Sequence, residues 1–589
     1  AKYKQLNKSK RAIIIDDFHK SKIRRSKREQ FLRELAKRFD RVILMANDLI
    51  GQIERLFVNS DSDVTFDFKQ CKILEFGRYE REKLLDKWYS LEVKDIDDAP
   101  GLARKKSDAH RYFNTIIGEN FVPAHPIVLL SILQVEETLT PVNVNASTYG
   151  YFYELLITEA LGGRQKGTRV GTKFAYLSFI AYQLYLRGTK RVGEDELEEI
   201  HNDYRNEYRI RLRFQPALDK LTETSIFEYD SSDRISFKYP YYYYYFAARY
   251  MSDNISDENV KHKIKSITKD LYVDDNANIL LFLTHLSKDS FIIDQLLDSA
   301  EEVYKDVQPT DLDSDVTFLN GLIARVPQLV YVDQDNATSR KEAMKRADDA
   351  DKIASEPEEK DLDETEHREV GRANVALKTV QILGQILKNA PGELKGPVKA
   401  RVARACYMLG LRTLKAMFRV IEENNEDVVA SIIEIVRRRH QSKQDASRID
   451  NSIRPISDEE LVEQSKEFVF MLALAISYTI FKKISNSVGS KDLTLTYEDV
   501  LDEADPTTAV QLIDASPKLD HTDNFPLNSI TDLGDSIKDN YLGFSILRQM
   551  VVSHLHLFDV NYKKRQSVCE QLDIELRSSK YLNSKGKKV

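Results

Sequence analysis

The amino-acid sequence predicts a multidomain, mainly α chain: a partial α/β portion at the N-terminus, a helical domain, a winged helix and an all-α C-terminal region. Three observations carry this. Two short apolar runs, Ile13-Ile14-Ile15 and Val42-Ile43-Leu44, flank a stretch of helical periodicity, the pattern of a parallel strand-helix-strand unit. Two alternating runs meet at the turn Asp230-Ser231-Ser232-Asp233 after a helical stretch, as in a β-hairpin. Beyond residue 256 helical periodicity takes over. The chain length suits about three to five domains, at roughly 100–200 residues each.

In order, a strand at 11–15 gives way to a helix over 26–39, with Phe31, Leu32, Leu35 and Phe39 at helix spacing, and then to a second strand at 41–48. A third strand is predicted at 71–76 and a helix over 80–91 around Trp88, the only tryptophan. Phe121-Val122-Pro123-Ala124-His125-Pro126-Ile127 is a rigid bend, because its prolines fix the backbone and bias their neighbours away from helix. A helix restarts at residue 127. Residues 174–186 are aromatic and apolar, and the segment from Val192 to Leu197 reads as a turn entering a helix. After the hairpin, the run Tyr241-Tyr242-Tyr243-Tyr244-Tyr245-Phe246-Ala247-Ala248-Arg249-Tyr250 places aromatic residues at all helix positions, which argues for burial between other elements rather than a cofactor box.

Residues 333–369 are rich in Lys, Asp and Glu and lack an apolar stripe, so they read as a linker or exposed helix. Helices follow over 375–388, stopped by Asn389-Ala390-Pro391-Gly392, and over 395–423, 428–439, 459–485, 507–515 and 543–556. They show no fixed period, which favours an irregular bundle over a regular solenoid.

The net charge of -7 is nearly balanced over the chain and argues neither for nor against a nucleic-acid partner. The cluster Lys20, Lys22, Arg24, Arg25, Lys27, Arg28 reads as the solvated start of a helix, with a phosphate-facing or subunit-facing surface as the sharper alternative. Cys71, Cys406 and Cys569 lie far apart, which excludes a disulfide framework or zinc ribbon built from this chain and points to a reducing, cytoplasmic setting. The longest apolar run, 468–481, falls short of the ~20 residues needed to cross a bilayer. It reads as a buried core helix, and no membrane segment is expected.

The first strand delivers two adjacent carboxylates, Asp16 and Asp17, at its C-terminal end. It reads as a Walker B strand, in which Asp16 serves the Mg²⁺ of a nucleotide and the next acid orients the attacking water. The alternative is a strand running into a solvated turn. The second strand ends in Asn47-Asp48, and ligands of parallel sheets sit beyond the strand C-terminal ends, so a shared site is expected with Asn47 in a sensor position. No Gly-x-x-x-x-Gly-Lys-[Ser/Thr] loop precedes; residues 1–10 contain no glycine and begin with Ala rather than Met. The expectation is a chain that starts partway through its first domain.

Two decoys are set aside. The Gly-rich segment 161–173 lacks Gly-Lys-[Ser/Thr] at the right spacing and a preceding strand; it reads as a loop whose Arg164, Lys166, Arg169 and Lys173 could touch phosphate or nucleic acid. His554 and His556, two apart on a helix, face different directions and share no metal.

These elements, in this order, resemble the STAND class of signalling NTPases over roughly residues 10–251, most closely the NACHT type and its bacterial antiviral members. Ile13 to Asp17 resembles the Walker B consensus, Pro123-Ala124-His125-Pro126 the proline motif of the first helical domain, and Phe237-Lys238-Tyr239-Pro240-Tyr241-Tyr242-Tyr243-Tyr244-Tyr245-Phe246-Ala247-Ala248 the signature Phe-x-His-x-x-Phe-x-x-Phe-Phe-Ala-Ala. The resemblance implies that Pro126 packs on the adenine and that Tyr239 stands where the family's histidine holds the ADP β-phosphate. A phenol donates one hydrogen bond but carries no charge, so the resting-state lock is altered. Without a Walker A loop this chain alone should bind nucleotide poorly.

What the resemblance implies is a switch using ATP/ADP and Mg²⁺. A trigger, a phage protein or other foreign ligand, is sensed by the C-terminal helices; nucleotide exchange then drives homo-oligomerisation and activates an effector not contained in this chain. The expected organisation is 1–98, the C-terminal part of a P-loop NTPase domain; 99–170, helical; 171–255, winged helix; 256–332, helical; 333–370, charged linker; and 371–589, all-α sensor. Two rivals remain: a nucleotide-independent protein-binding scaffold on a degenerate NTPase fold, and a winged-helix DNA-binding regulator, with nucleic acid the less favoured partner.

Overall fold

The computed structural model describes residues 7–16, 25–45, 74–91, 124–138, 170–333 apart from 231, 272 and 288, then 336–355, 364–389, 392, 394–424, 457–490, 493–503, 507–521 and 525–578 apart from 559, with single helical positions within 102–113, 153–161 and 429–437. The described chain is mainly helical.

At the N-terminus, strand β1 (Ala12–Ile15), helix α1 (Arg25–Arg38) and strand β2 (Arg41–Leu44) form the expected unit. The strands pair in parallel, Ala12 opposite Arg41 through Ile15 opposite Leu44. The third expected strand is not formed where it is described. Leu74, Glu75 and Phe76 are irregular, because Phe76 N donates to Ala124 O at 3.0 Å and Ala124 N donates to Glu75 Oε2 at 2.8 Å. Residues 71–73 lie outside the described residues. Helix α2 (Arg78–Ser90) follows, and α3 (Pro126–Thr138) starts at the second proline of the bend.

Helix α4 (Val170–Leu186), strand β3 (Arg191–Val192), helices α5 (Glu194–Tyr208) and α6 (Phe214–Glu223), and the hairpin β4 (Phe227–Tyr229) with β5 (Ile235–Phe237) come next. The antiparallel sheet has the order β3-β5-β4. Local chemistry places each boundary. The Glu196 carboxylate accepts from Gly193 N at 2.8 Å to start α5, Asp230 Oδ1 accepts from Ser232 N and Arg234 N to shape the hairpin turn, and Pro240 opens helix α7 (Pro240–Asp253) at a position where a missing N–H costs nothing. Residues Tyr241 to Ala248 are all buried, and α7 packs between α4 and helix α9 (Asp274–Leu286). Helices α8 (Glu258–Lys269) and α10 (Ser290–Glu302) complete this region, α8 and α10 being capped by Asp257 and Asp289.

Strand β6 (Leu329–Asp333) precedes helix α11 (Asn336–Ser355). The C-terminal region contains α12 (Glu364–Asn389), α13 (Gly396–Glu423), α14 (Asp458–Val488), α15 (Thr494–Glu503), α16 (Thr508–His521), α17 (Leu527–Ser536), α18 (Tyr541–Leu557) and α19 (Tyr562–Gln571), and ends in strand β7 (Ile574–Ser578). Helices α12, α13 and α14 pack on one another. Gly384 and Gly410 let α14 approach, since a Cβ on Gly384 would lie 2.3 Å from Ser487 O and one on Gly410 2.3 Å from Ile484 Cδ1. Helix α14 is the one described helix long and apolar enough to cross a bilayer; Val469, Phe470, Ala473, Leu474, Ile480 and Phe481 are buried in the protein.

Two expectations change. The C-terminal region is not purely α, because β7 pairs in parallel with β6, Leu329 opposite Ile574. The charged segment 333–370 contains helix α11, which packs against both α2 and α18 with Ser339 and Arg340 buried, and α12 begins within it at Glu364.

Candidate functional site

The parallel pairing fixes where the first strand delivers its acids. Met45 N donates to Ile15 O at 2.8 Å, carrying the ladder to the strand ends, so Asp16 stands just past the C-terminal edge with its side chain exposed. A Mg²⁺ ion takes hard oxygen ligands and keeps several waters, and this carboxylate fits that donor chemistry. Asp17 and Asn47 lie outside the described residues.

Pro126 is the first residue of α3 and is exposed. The bend before it is held from two sides: Ala124 is tied to Glu75 and Phe76, and His125 O accepts from Val128 N and Leu129 N at 3.0 and 3.1 Å. An exposed pyrrolidine on a braced bend offers a flat apolar face.

Tyr239 is the N-cap residue of α7, in extended backbone at φ -113°. Its ring is half-buried, stacks on Tyr241 with centroids 5.7 Å apart, meets Tyr242 edge-on, and lies under Lys238 Nζ at 5.5 Å. Burial, helped by the Glu228 charge, pushes its phenol above the usual value, so the hydroxyl stays neutral and able to donate. Asp16, Pro126 and Tyr239 thus stand on three separate elements.

Helix α7 is fixed by a polar network that no sequence pattern announces. Lys190 Nζ donates to Asp275 Oδ1 at 2.5 Å and to Tyr244 Oη at 3.3 Å, and Tyr244 Oη donates to Asp275 Oδ1 at 2.9 Å. Tyr185 Oη donates to Asn276 Oδ1 at 2.7 Å beside it. Together these join α4, the connection leading into β3, α7 and α9. A second buried link, Tyr176 Oη to His201 Nδ1 at 2.8 Å, ties α4 to α5; burial holds the His201 pKa below its ordinary value.

The set-aside residues behave structurally where they are described. Lys173 Nζ donates to Leu161 O at 3.0 Å, whereas Arg164, Lys166 and Arg169 lie outside the described residues. The His554 ring stacks on Phe558 and His556 lies against Tyr331, so the two imidazoles diverge. Among the described residues no group of three or more His, Cys, Asp and Glu side chains could hold a metal.

The family model described as Novel STAND NTPase 4 matches residues 190–247, from the network lysine through the β3-β5-β4 sheet and most of α7. This supports a STAND-type NTPase family, and with it nucleotide binding with a divalent metal in general. No curated protein matches the chain.

Proposed function

We propose that this chain is the switch and sensor part of a STAND-class ATP-dependent molecular switch of NACHT type, acting in bacterial antiphage defence in the cytoplasm. The observation that carries the reading is the coincidence, in one segment, of the family match with a helix, three-stranded sheet and buried aromatic helix, which we read as a winged helix. The parallel strand pair with Asp16 at its edge and the braced bend at Pro126 precede it in the order the switch requires.

In this reading Asp16 would hold Mg²⁺ directly or through water, Asp17 would orient water, Asn47 would report the γ-phosphate, and Pro126 would pack on the adenine. A bound nucleotide supplies the charge difference between resting and active states. Tyr239, whose hydroxyl bonds to no other described residue, would donate a single hydrogen bond to a phosphate oxygen. A neutral donor holds an anion less tightly than an imidazolium, so the resting state would be held in larger part by protein contacts. The C-terminal helices would meet a phage protein or other foreign ligand, and opening would lead to homo-oligomerisation and effector activation.

Mass spectrometry of small molecules released from the native full-length protein tests this. ADP or ATP should be recovered in near-stoichiometric amount, and the ADP-bound protein should be monomeric by light scattering until ATP and the trigger are present. A nucleotide-free protein that binds its partner with unchanged affinity would support the scaffold instead.

A further inference from the structure

Helix α11 is held to the rest of the chain in an unusual way. Among the described side chains of α11 none belongs to the hydrophobic core, whereas α13 buries a long apolar face. The described side chains that α11 buries are polar, Ser339 and the charged Arg340. Arg340 Nε lies 3.3 Å from Glu82 Oε1, with side chains only 7 and 4% exposed. On the same Glu82, His110 Nε2 lies 2.7 Å from Oε2 and Lys106 Nζ 4.0 Å from Oε1. Lys341 Nζ lies 3.2 Å from Asp86 Oδ2, and Lys106 also bonds Asp86.

Two turns further on, Asp348 caps α2 from outside. Its carboxylate accepts from Arg78 N at 2.7 Å and Tyr79 N at 2.9 Å, the orphan amides that α2's own N-cap, Gly77, cannot satisfy. Gly77 is required for this approach, since a Cβ there would sit 2.6 Å from Asp348 Oδ2. The other side of α11 packs on α18, where Arg346 and Glu342 face His556, and β6, which leads into α11, is paired with the C-terminal β7.

An interface of this kind has a particular energetics. Desolvation of the buried ions offsets most of their mutual attraction, so the docked state gains little net stability, yet loss of one partner leaves its mate buried and uncompensated. Undocking α11 returns Arg340 and Glu82 toward water together, whereas removing one of them leaves the other buried and unpaired. The described side chains of α11 add nothing to the apolar core that would weld it in place.

We propose that α11 is a reversible latch between the N-terminal α2 region and the C-terminal region, closed by the Glu82–Arg340 cluster and the Asp348 cap, and released as one cooperative unit while the core around α13 and α14 stays folded. It links the region expected to sense the trigger with the region that carries the site. The latch does not depend on nucleotide, so it stands or falls separately from the proposed function.

Hydrogen exchange of the full chain, read by mass spectrometry without nucleotide, tests it. Amides of α11 and of the first turn of α2 should exchange together, about a hundred-fold or more faster than those of α13 and α14, as a sub-global opening does. Asp348→Ala and Arg340→Met should each speed both segments by about ten-fold or more, with α7, α13 and α14 and the main thermal transition unchanged. Asp348→Asn, which keeps an acceptor oxygen, should recover part of the protection. The milder Lys341→Ala gives a second reading should a buried variant fail to fold. Exchange of α11 at the rate of α13 and α14, or variants that loosen every segment alike, would overturn the latch and make α11 an ordinary part of the core.

Discussion

Replacing Gly77 by alanine isolates the closest contact of the latch. The residue sits at φ -66° and ψ 177°, which any amino acid adopts, so the substitution adds no backbone strain and its effect on the docked state is the new methyl. That methyl would lie 2.6 Å from Asp348 Oδ2 and 2.8 Å from its Cγ. Reaching ordinary contact requires Oδ2 to retreat by about 0.8 Å, which takes its 2.9 Å bond from Tyr79 N out of range and lengthens the 2.7 Å bond from Arg78 N to Oδ1. Losing a helix cap costs about 1 kcal/mol, up to ~2, so protection of α11 and of the Arg78 and Tyr79 amides should fall by roughly 5–30-fold. Gly77→Ser separates the two effects. Its hydroxyl can cap α2 itself, while its Cβ still displaces Asp348. The first turn of α2 should therefore recover protection and α11 should not. Hydrogen exchange resolved to these two segments is the assay. Unchanged exchange in Gly77→Ala, or recovery of both segments in Gly77→Ser, would refute the reasoning.

Docking of α11 should weaken as pH falls from 7.5 to 5.5. Burial, opposed by the Glu82 bond, holds His110 below its ordinary value of 6.5, with Arg340 and Arg81 adding to the effect. A depressed histidine stabilises the docked form above its ordinary pKa and loses that contribution as pH drops through it, by at most about ten-fold per pH unit. Glu82, whose burial is outweighed by His110, Arg340 and Lys106, is also depressed, but from 4.5, so its loss falls at still lower pH. Exchange of α11 in His110→Gln should be flat over that range. Gly384→Ala should lower the main thermal transition, because its methyl meets the Ser487 carbonyl at 2.3 Å and overpacking against backbone costs about 1–3 kcal/mol; an unchanged scanning calorimetry trace would contradict the α12–α14 packing. Asp275→Ala removes the acceptor of Lys190 and Tyr244. Since the pair is partly exposed, the expected cost is about 1 kcal/mol, from the tyrosine bond more than from the ion pair, and proteolysis within 170–253 should quicken accordingly.

How much of this was legible in the sequence follows from where each signal is stored. The β1-α1-β2 unit was readable because three isoleucines and Val42-Ile43-Leu44 bracket one helical period. The hairpin was readable because Asp230 both ends β4 and caps its own turn. The third strand misled: Leu74 to Phe76 has strand composition, but its hydrogen bonds go to Ala124. The β6-β7 pair was invisible because parallel partners at opposite ends of the C-terminal half leave no hairpin signal. Helix α11 read as a linker or exposed helix because it is anchored by Arg340 and Asp348, residue types that sequence patterning assigns to solvent. Of the candidate site, Asp16, Pro126 and Tyr239 were named from local motifs and lie on three separate elements, while Lys190 and Asp275 meet through a contact between distant segments that no spacing rule records.

In the proposed switch Asp16 belongs to a nucleotide site. Titration of fluorescent ADP into the native full-length protein, with and without Mg²⁺, tests it most directly when repeated on Asp16→Ala. Binding should be saturable, strengthened by Mg²⁺ and weakened about ten-fold or more in the variant, with circular dichroism and thermal transition unchanged. Binding indifferent to both Mg²⁺ and Asp16, or no binding at all, would contradict it.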